Sequence, residues 1–349
     1  MRGLLHRSLG ILVLIALLLA AVAAQTGSRK PVSSNTWTPP LAPDGHPDLQ
    51  GVWLVNTATP LERPKELEGR EQLTDDEVAE LKRRADRIFK NGDSDFAAGD
   101  SLFLAALRNV EHYGTGTTAT ENSVGMIERE FDNRTSLVID PIDGRIPPLT
   151  DEARRRQAAA RGTGQHPAGP EDFSNAYRCI TTGVPKLGGL YGAGHFSYYE
   201  IIQTRQYIVL ETETIHDARI IPLDGRPHLP ESVRQWNGDS RARWEGKVLV
   251  VDTTNFSPKS NFMGSTDHLH LVERFTRVAA NTITYEITID DTTTWTKPWT
   301  AVLPLKQTSE QMYEFACHEG NQIIMRGMLA AARADESAET REKLGTKPR

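Results

Sequence analysis

The chain has 349 residues with a net charge of −6 at neutral pH, and 38% of its residues are hydrophobic. This composition is typical of a globular protein, and the length allows one elaborated domain or two small ones. Basic residues are scattered among acidic ones and form no stripe, which argues against nucleic acid as a partner.

The first 24 residues have the pattern of a cleavable secretory signal. Arg2 and Arg7 give a positive start, an apolar run follows at 9–19, and small residues precede Gln25. The run is shorter than the roughly 20 apolar residues that a membrane crossing needs. We therefore expect a periplasmic or secreted protein with no stable membrane span after signal cleavage. Cleavage would change the net charge to −8, because it removes two arginines and no acid.

Residues 25–47 are rich in Ser, Thr, Pro and Gly without periodicity, and we interpret them as an extended leader. The fold is predicted to begin at Asp48. Gly51 and Trp53 form a Gly-x-Trp motif that resembles the first strand of lipocalin-like barrels, in which the Trp closes one end of the barrel. Residues 48–176 are then predicted to hold this first strand, surface helices and loops.

Two helices are predicted in this N-terminal part. Thr74 and Glu77 form a capping box in front of an amphipathic stretch. Its apolar face consists of Val78, Leu81, Ala85, Ile88 and Phe89. A second helix is predicted from Thr150, because Asp151 and Glu152 suit the first turn of a helix.

Residues 177–333 change in character, because β-branched and aromatic residues dominate and turn signals recur. The predicted strands are 197–203, 207–213, 218–221, 243–245, 248–253, 269–277, 282–290, 299–306 and 311–317. Successive hairpins without intervening helices indicate an antiparallel meander. We predict a mainly β fold whose meander closes into a lipocalin/calycin-like barrel, with a few peripheral helices in the N-terminal half. Residues 334–349 are predicted to form a polar tail.

Alternation along the last strands separates two faces. The apolar phase contains Leu269, Leu271, Phe275, Tyr285, Ile287, Ile289, Tyr313, Phe315 and Cys317. The other phase is polar and titratable, and contains His268, His270, Arg274, Glu286, Thr288, Asp290, Glu314 and His318. The polar phase either meets solvent, as antiparallel sheets allow, or contributes groups to a barrel lumen or its rim.

The chain has two cysteines, Cys179 and Cys317. Because the chain is predicted to reach an oxidising compartment, we expect them to form one disulfide that ties the middle of the chain to its end. A reactive thiol at Cys317, beside His318 and Glu319, is the alternative.

Several blocks together resemble a large family of exported bacterial proteins of uncharacterised function. They are residues 134–148, 216–230, 238–246, 269–275, 295–299 and 316–321. The resemblance spans most of the chain between Pro47 and Arg333. It implies export and a lipocalin-like barrel, and it implies no reaction and no catalytic residues.

Candidate catalytic residues lie at the ends of predicted strands, where barrels usually place ligand contacts. His216 and Asp217 end one strand, His270 has Glu273 nearby on another, and His318 and Glu319 end the last. Imidazoles beside carboxylates are suited to proton transfer. Such pairs are also common on protein surfaces, so both interpretations stay open.

A metal centre is an alternative use of the same histidines. His268 and His270 would project from one face, and His318 would complete a set of three ligands. No His-Glu-x-x-His motif, Gly-x-Ser-x-Gly motif or phosphate-binding loop is present. We therefore predict no cofactor.

Aromatic and cationic residues near strand ends are the candidate ligand contacts. They are Trp244, Arg219, Arg241, Tyr191 and Trp299. Aromatic rings at these positions would cover an apolar ligand, although core packing explains them equally well. The leading hypothesis is a barrel that binds a small apolar or mixed-polarity molecule. The alternative is a barrel enzyme, a hydratase, isomerase or hydrolase, with histidine and carboxylate acid-base chemistry.

Overall fold

The computed structural model describes residues 37–90, 101–110, 129–164, 167–185, 197–260 and 262–343. The predicted signal at 1–24, most of the predicted leader and Tyr191 lie outside these ranges. The chain divides into two compact units, Met1–Thr38 and Pro39–Arg349, and every element below belongs to the second unit.

The prediction of a mainly β, antiparallel fold is confirmed. Ten strands are described: β1 Gly51–Leu54, β2 Val138–Asp140, β3 Tyr198–Gln203, β4 Tyr207–Thr212, β5 Asp217–Pro222, β6 Asp239–Glu245, β7 Val248–Thr254, β8 His270–Ala279, β9 Thr282–Asp290 and β10 Trp299–Gln307. They form one sheet in the order β5-β4-β3-β1-β10-β9-β8-β7-β6, and β2 also pairs with β10. Eight of the nine strands predicted after residue 177 are present, several with ends shifted by a few residues.

The sheet curls until its edge strands, β5 and β6, lie close together, so that it is nearly closed into a barrel. Antiparallel register places the β3–β4, β6–β7 and β8–β9 turns at one end, which we call the hairpin end. Asp217, at the start of β5, marks the opposite end, which we call the Asp217 end. Gly246 has a φ of 62° in the β6–β7 turn, a left-handed conformation that glycine adopts without strain.

Strict alternation fills the barrel interior, because successive strand residues face opposite sides of the sheet. Inward positions of β8 and β9 are buried and mostly apolar, as predicted, and those of β10 follow the same pattern. The largest buried interior side chains are Trp53, Trp299, Tyr285, Phe275, Ile201 and Ile208. The opposite, polar phase of these strands lies on the outer face.

Trp53 is fully buried at the hairpin end and is tied to the segment in front of β1. Its indole Nε1 donates a hydrogen bond of 2.9 Å to the carbonyl of Leu49. The Arg277 guanidinium lies 5.4 Å from the centre of the Trp53 ring and donates to the carbonyl of Asp48. The guanidinium and the indole form a favourable cation–π pair. The Gly-x-Trp strand is thereby anchored to β8 at the start of the barrel.

Four α-helices are described in these parts of the chain: α1 Asp75–Lys90, α2 Ser101–Leu107, α3 Asp151–Gly164 and α4 Asn321–Lys343. The predicted capping box of α1 is confirmed, since Thr74 N donates to Glu77 and Glu77 N donates to the Thr74 hydroxyl. Leu81, Ala85 and Ile88 of α1 form a second, smaller core with α2. The Thr150 hydroxyl caps α3 by accepting from Ala153 N.

The prediction of a last strand at 311–317 is wrong. These residues form no strand, and Tyr313 is 72% exposed. β10 pairs with β9 along one edge and with β1 and β2 along the other, so neither edge remains for another strand. The chain instead turns at residues 317–320 into the 23-residue helix α4, which occupies most of the predicted polar tail.

The predicted disulfide is confirmed. Cys179 and Cys317 are bonded, with Cα atoms 5.7 Å apart and a separation of 138 positions in sequence. The bond ties the beginning of α4 to the segment that precedes β3. Among the described residues, no helix has both the length and the apolar character needed to cross a membrane.

The disulfide should contribute substantially to stability. Replacing both Cys179 and Cys317 with alanine removes the restriction on a loop of 138 residues in the unfolded chain. We expect the free energy of unfolding, measured by urea denaturation, to fall by up to about 5 kcal/mol. Thr74→Ala, which removes one helix cap, should cost only about 1 kcal/mol. Equal losses in the two proteins would contradict this expectation.

Candidate functional site

A charged centre lies inside the otherwise apolar barrel. Arg219 of β5 and Glu273 of β8 both point inward, and their side chains are 10% and 0% exposed. Two parallel bonds join them: Nη1 to Oε1 at 3.0 Å and Nη2 to Oε2 at 2.6 Å. This bidentate geometry is the strongest form of an arginine–carboxylate pair, and it compensates for the cost of burying both charges.

Hydroxyl groups surround the ion pair. Arg219 Nη2 also donates to Ser240 of β6 at 2.9 Å and to Thr253 of β7 at 3.0 Å. Tyr285 donates its phenolic proton to Glu273. Burial raises the pKa of Tyr285 well above its ordinary value, with the Glu273 charge adding to the effect. Tyr285 is therefore a permanent hydrogen-bond donor at physiological pH.

Charge state at Arg219 is fixed by its partner. Burial on its own would lower the pKa of the guanidinium, but the Glu273 charge and the hydrogen bonds to it raise that pKa above its ordinary value. The nearby phenol of Tyr199 is fully buried, and burial raises its pKa as well. The centre is therefore a neutral assembly of fixed charges and donors, unlike a titrating acid-base pair.

One donor of this centre is unused. Arg219 Nε is buried and has no hydrogen-bond partner among the described residues. Arg219 also lines a cavity of about 20 Å³ towards the Asp217 end, which is space for about one water-sized group. The cavity walls are Val184, Pro185, Tyr199, Leu210, Thr212, Asp217, Arg219 and Tyr285. An unpaired N–H in such a place is a ready donor for an acceptor oxygen.

The rim of the cavity is held by a polar contact between three segments. The Thr181 hydroxyl lies 2.7 Å from an Asp217 carboxylate oxygen and 2.8 Å from the Asn237 side-chain oxygen. Thr181 also accepts from Gly183 N. These bonds fasten the segment after Cys179 across the start of β5. The disulfide and the rim are thus parts of the same tether.

The predicted ligand contacts have separate locations. Arg219 lies in the lumen, whereas Arg241 lies on the outer face, where it pairs with Asp239 at 3.2 Å. Trp244 lies at the hairpin end, where its ring stacks on His46. Trp299 is a fully buried core residue in edge contact with Trp295.

The five predicted catalytic residues are not brought into one described cluster. Asp217 bonds Thr181 at the cavity rim, and His270 bonds Asp252 on the outer face. His318 and Glu319 are exposed in the turn after the disulfide. His216 belongs to a short 3-10 turn before β5, and its side chain is outside what the structure describes.

The alternative metal centre of His268, His270 and His318 is not formed. His268 is exposed in the turn before β8, and His270 is occupied by Asp252. Among the described side chains, no group of three His, Cys, Asp or Glu residues is arranged to hold a metal ion. The two-residue spacing of His268 and His270 does not place them together, because β8 begins only at His270.

A second polar cluster lies on the outer face of β6, β7 and β8. His228 bridges Asp239 and Asp252, with both ring nitrogens 2.9 Å from a carboxylate oxygen. Asp252 also accepts from His270 Nε2 at 3.2 Å. The hydrogen bond to Asp252 raises the pKa of His270. The cluster attaches the long β5–β6 connection to the outside of the barrel.

Sequence reasoning missed the central role of Glu273 and Tyr285. Glu273 lies between Leu271 and Phe275 in the apolar phase of β8, so its inward direction was readable from alternation. A carboxylate on an apolar face needs a buried partner, so Glu273 by itself indicates a polar group inside the barrel. The identity of the partner, Arg219, is not local, since 54 residues separate the two in sequence.

Comparison of the chain with protein-family models, with curated proteins and with solved structures gave no match. The site is therefore interpreted from its own geometry.

Breaking the buried ion pair should be costly. Arg219→Met leaves Glu273 buried without its cation, and we expect the free energy of unfolding to fall by about 3–5 kcal/mol. Adding Glu273→Gln removes the stranded charge while keeping an acceptor for Tyr285. The double variant should therefore be more stable than Arg219→Met alone in urea denaturation. If the double variant were less stable, the charge would not be the cause of the loss.

Stability should depend on pH through His270. Its pKa is raised above the ordinary value of 6.5 in the folded state, so its contribution is full below that value and is lost as the pH rises through the raised pKa. His270→Gln keeps a neutral donor for Asp252. The stability gap between the wild type and this variant should narrow as the pH is raised from about 6 to about 9. A constant gap in denaturation experiments would contradict the assignment.

Proposed function

We propose that the protein binds a small molecule of mixed polarity, with a neutral acceptor oxygen directed at Arg219 Nε. The observation that carries the proposal is this buried N–H without a described partner, on a side chain that lines a cavity. Buried donors are normally satisfied, and an unsatisfied one costs about 1–3 kcal/mol. A carbonyl oxygen in the cavity would recover that cost.

Charge balance favours a neutral acceptor over an anion. The positive charge of Arg219 is already matched by Glu273 through two hydrogen bonds. The Asp217 carboxylate also lines the cavity. A carboxylate ligand would place a second negative charge near Glu273 and Asp217 in a buried setting, which is unfavourable. A ketone, ester, lactone or amide carbonyl avoids that repulsion.

Cavity size limits what reaches the centre. About 20 Å³ admits a single small group, because aromatic side chains fill the rest of the lumen. The remaining walls, Val184, Pro185 and Leu210, are apolar. They suit the carbon skeleton next to a carbonyl. The ligand class is therefore a mostly apolar molecule with one carbonyl end.

Export is part of the same proposal. The N-terminal pattern of 24 residues is that of a cleavable signal, and the Cys179–Cys317 disulfide supports an oxidising compartment. The protein would then work in the periplasm or outside the cell.

Binding of acetone, followed by isothermal titration calorimetry, tests the ligand class. We expect the ketone to bind and the matched anion, acetate, to bind at least about tenfold more weakly, because of repulsion from Glu273 and Asp217. The carbonyl stretch of bound ketone should shift to lower frequency, as expected for an oxygen that accepts a hydrogen bond.

Two variants locate the binding. Arg219→Lys keeps a cation for Glu273 but removes Nε, and it should weaken ketone binding by about tenfold or more. Arg241→Lys makes the same change on the outer face and should leave binding unaltered. Absence of ketone binding to the wild type, an unshifted carbonyl stretch, or equal effects of the two variants would overturn the proposal.

A further inference from the structure

A second cleft lies at the hairpin end, at the opposite end of the barrel from the Arg219 cavity. It has a volume of about 510 Å³, within the range of small-molecule sites. Its lining residues are Asp44, His46, Arg205, Leu223, Arg243 and Trp244. We call it the hairpin-end cleft. The lumen proposal uses none of these residues.

An aromatic pair with one unpaired donor lines this cleft. The rings of His46 and Trp244 are parallel to within 4° and their centres are 4.6 Å apart. Trp244 Nε1 is buried and has no hydrogen-bond partner among the described residues. Tryptophan N–H groups usually find a partner when they are buried. A ligand that reached Trp244 Nε1 from the cleft would satisfy this donor.

Cationic groups exceed the anions that neutralise them. Arg205 forms no ion pair within the described part of the chain, and it is exposed in the β3–β4 turn. Arg243 shares Glu245 with Arg274, at 2.6 Å and 2.8 Å respectively. One carboxylate thus serves two guanidinium groups, which leaves positive charge at the cleft.

Asp44, the one acid in the cleft, is already engaged. Its carboxylate accepts from Gln203 Nε2 at 2.9 Å and from His46 N at 3.0 Å. These bonds hold the segment that carries His46 against the end of the barrel. Asp44 is therefore a structural acceptor that positions the aromatic pair, and within the described residues it forms no ion pair with Arg205.

We propose that the hairpin-end cleft binds a small organic carboxylate, with Trp244 Nε1 and the Arg205 guanidinium as its donors. Guanidinium groups recognise carboxylates through charge-assisted, often bidentate hydrogen bonds. The imidazole of His46 presents a flat surface for a planar substituent of the ligand. The two ends of the barrel thus select opposite chemistry: a neutral carbonyl at the Asp217 end and an anion at the hairpin end.

Benzoate and its neutral analogue benzamide test this site. The indole N–H resonance of Trp244 is assigned by its loss in Trp244→Phe, using ¹⁵N-labelled protein. Benzoate should move this resonance downfield in a saturable way, because the free N–H gains an acceptor. Benzamide, which has the same shape without the charge, should bind at least about tenfold more weakly.

Arg205→Gln identifies the second donor. It should weaken benzoate binding by about tenfold, since the exposed guanidinium provides the charge. Arg226→Gln is the matched control, because Arg226 is another exposed arginine, pairs with Asp224 and does not line the cleft. Equal affinities for benzoate and benzamide, a Trp244 resonance that does not respond, or equal effects of the two variants would overturn the proposal.

Discussion

The interaction on which the barrel depends is the bond set of Arg219 across the seam between its edge strands. No ladder of backbone hydrogen bonds joins β5 to β6. Arg219 of β5 instead reaches Ser240 of β6, Thr253 of β7 and Glu273 of β8. One side chain thereby links the first edge of the sheet to three strands at the other edge. The charged centre lies in an otherwise apolar lumen, where its hydrogen bonds join the two sheet edges that backbone pairing leaves open.

The same centre explains where a ligand would be recognised. Arg219 Nη1 and Nη2 donate to protein groups, whereas Nε is buried without a hydrogen-bond partner among the described residues. Closure therefore leaves an unpaired donor on a side chain that lines a small cavity, and Glu273 holds that side chain in place. Preorganised donors of this kind bind an acceptor without reorganising the protein, which lowers the cost of binding. Structure and proposed recognition share one residue.

Different contacts hold the irregular segments at the two barrel ends and on the outer face. At the Asp217 end, the disulfide and Thr181 hold the segment that walls the cavity. At the hairpin end, the Gln203 amide holds Asp44, and the neighbouring His46 stacks on Trp244. On the outer face, His228 joins Asp239 and Asp252 and so fastens the long connection between β5 and β6. In each case, a polar contact between residues distant in sequence fixes a segment that lacks regular structure.

The sequence by itself predicted eight of the strands after residue 177, the two phases of β8 and β9, the capped helices α1 and α3, and the cysteine pair. Alternation in β8 and β9, the Thr74–Glu77 box and a pair of cysteines are local or compositional signals, and they need no knowledge of neighbours. The sequence also predicted a strand at 311–317 that does not form, because both edges of β10 are already paired and alternation alone does not reveal this. It named Arg219, Arg241 and Trp244 together as ligand contacts, whereas the fold distributes them to the lumen, the outer face and the hairpin end. Only the tertiary structure decided these locations and the pairing of Arg219 with Glu273, because barrel closure joins strands that are far apart in the chain.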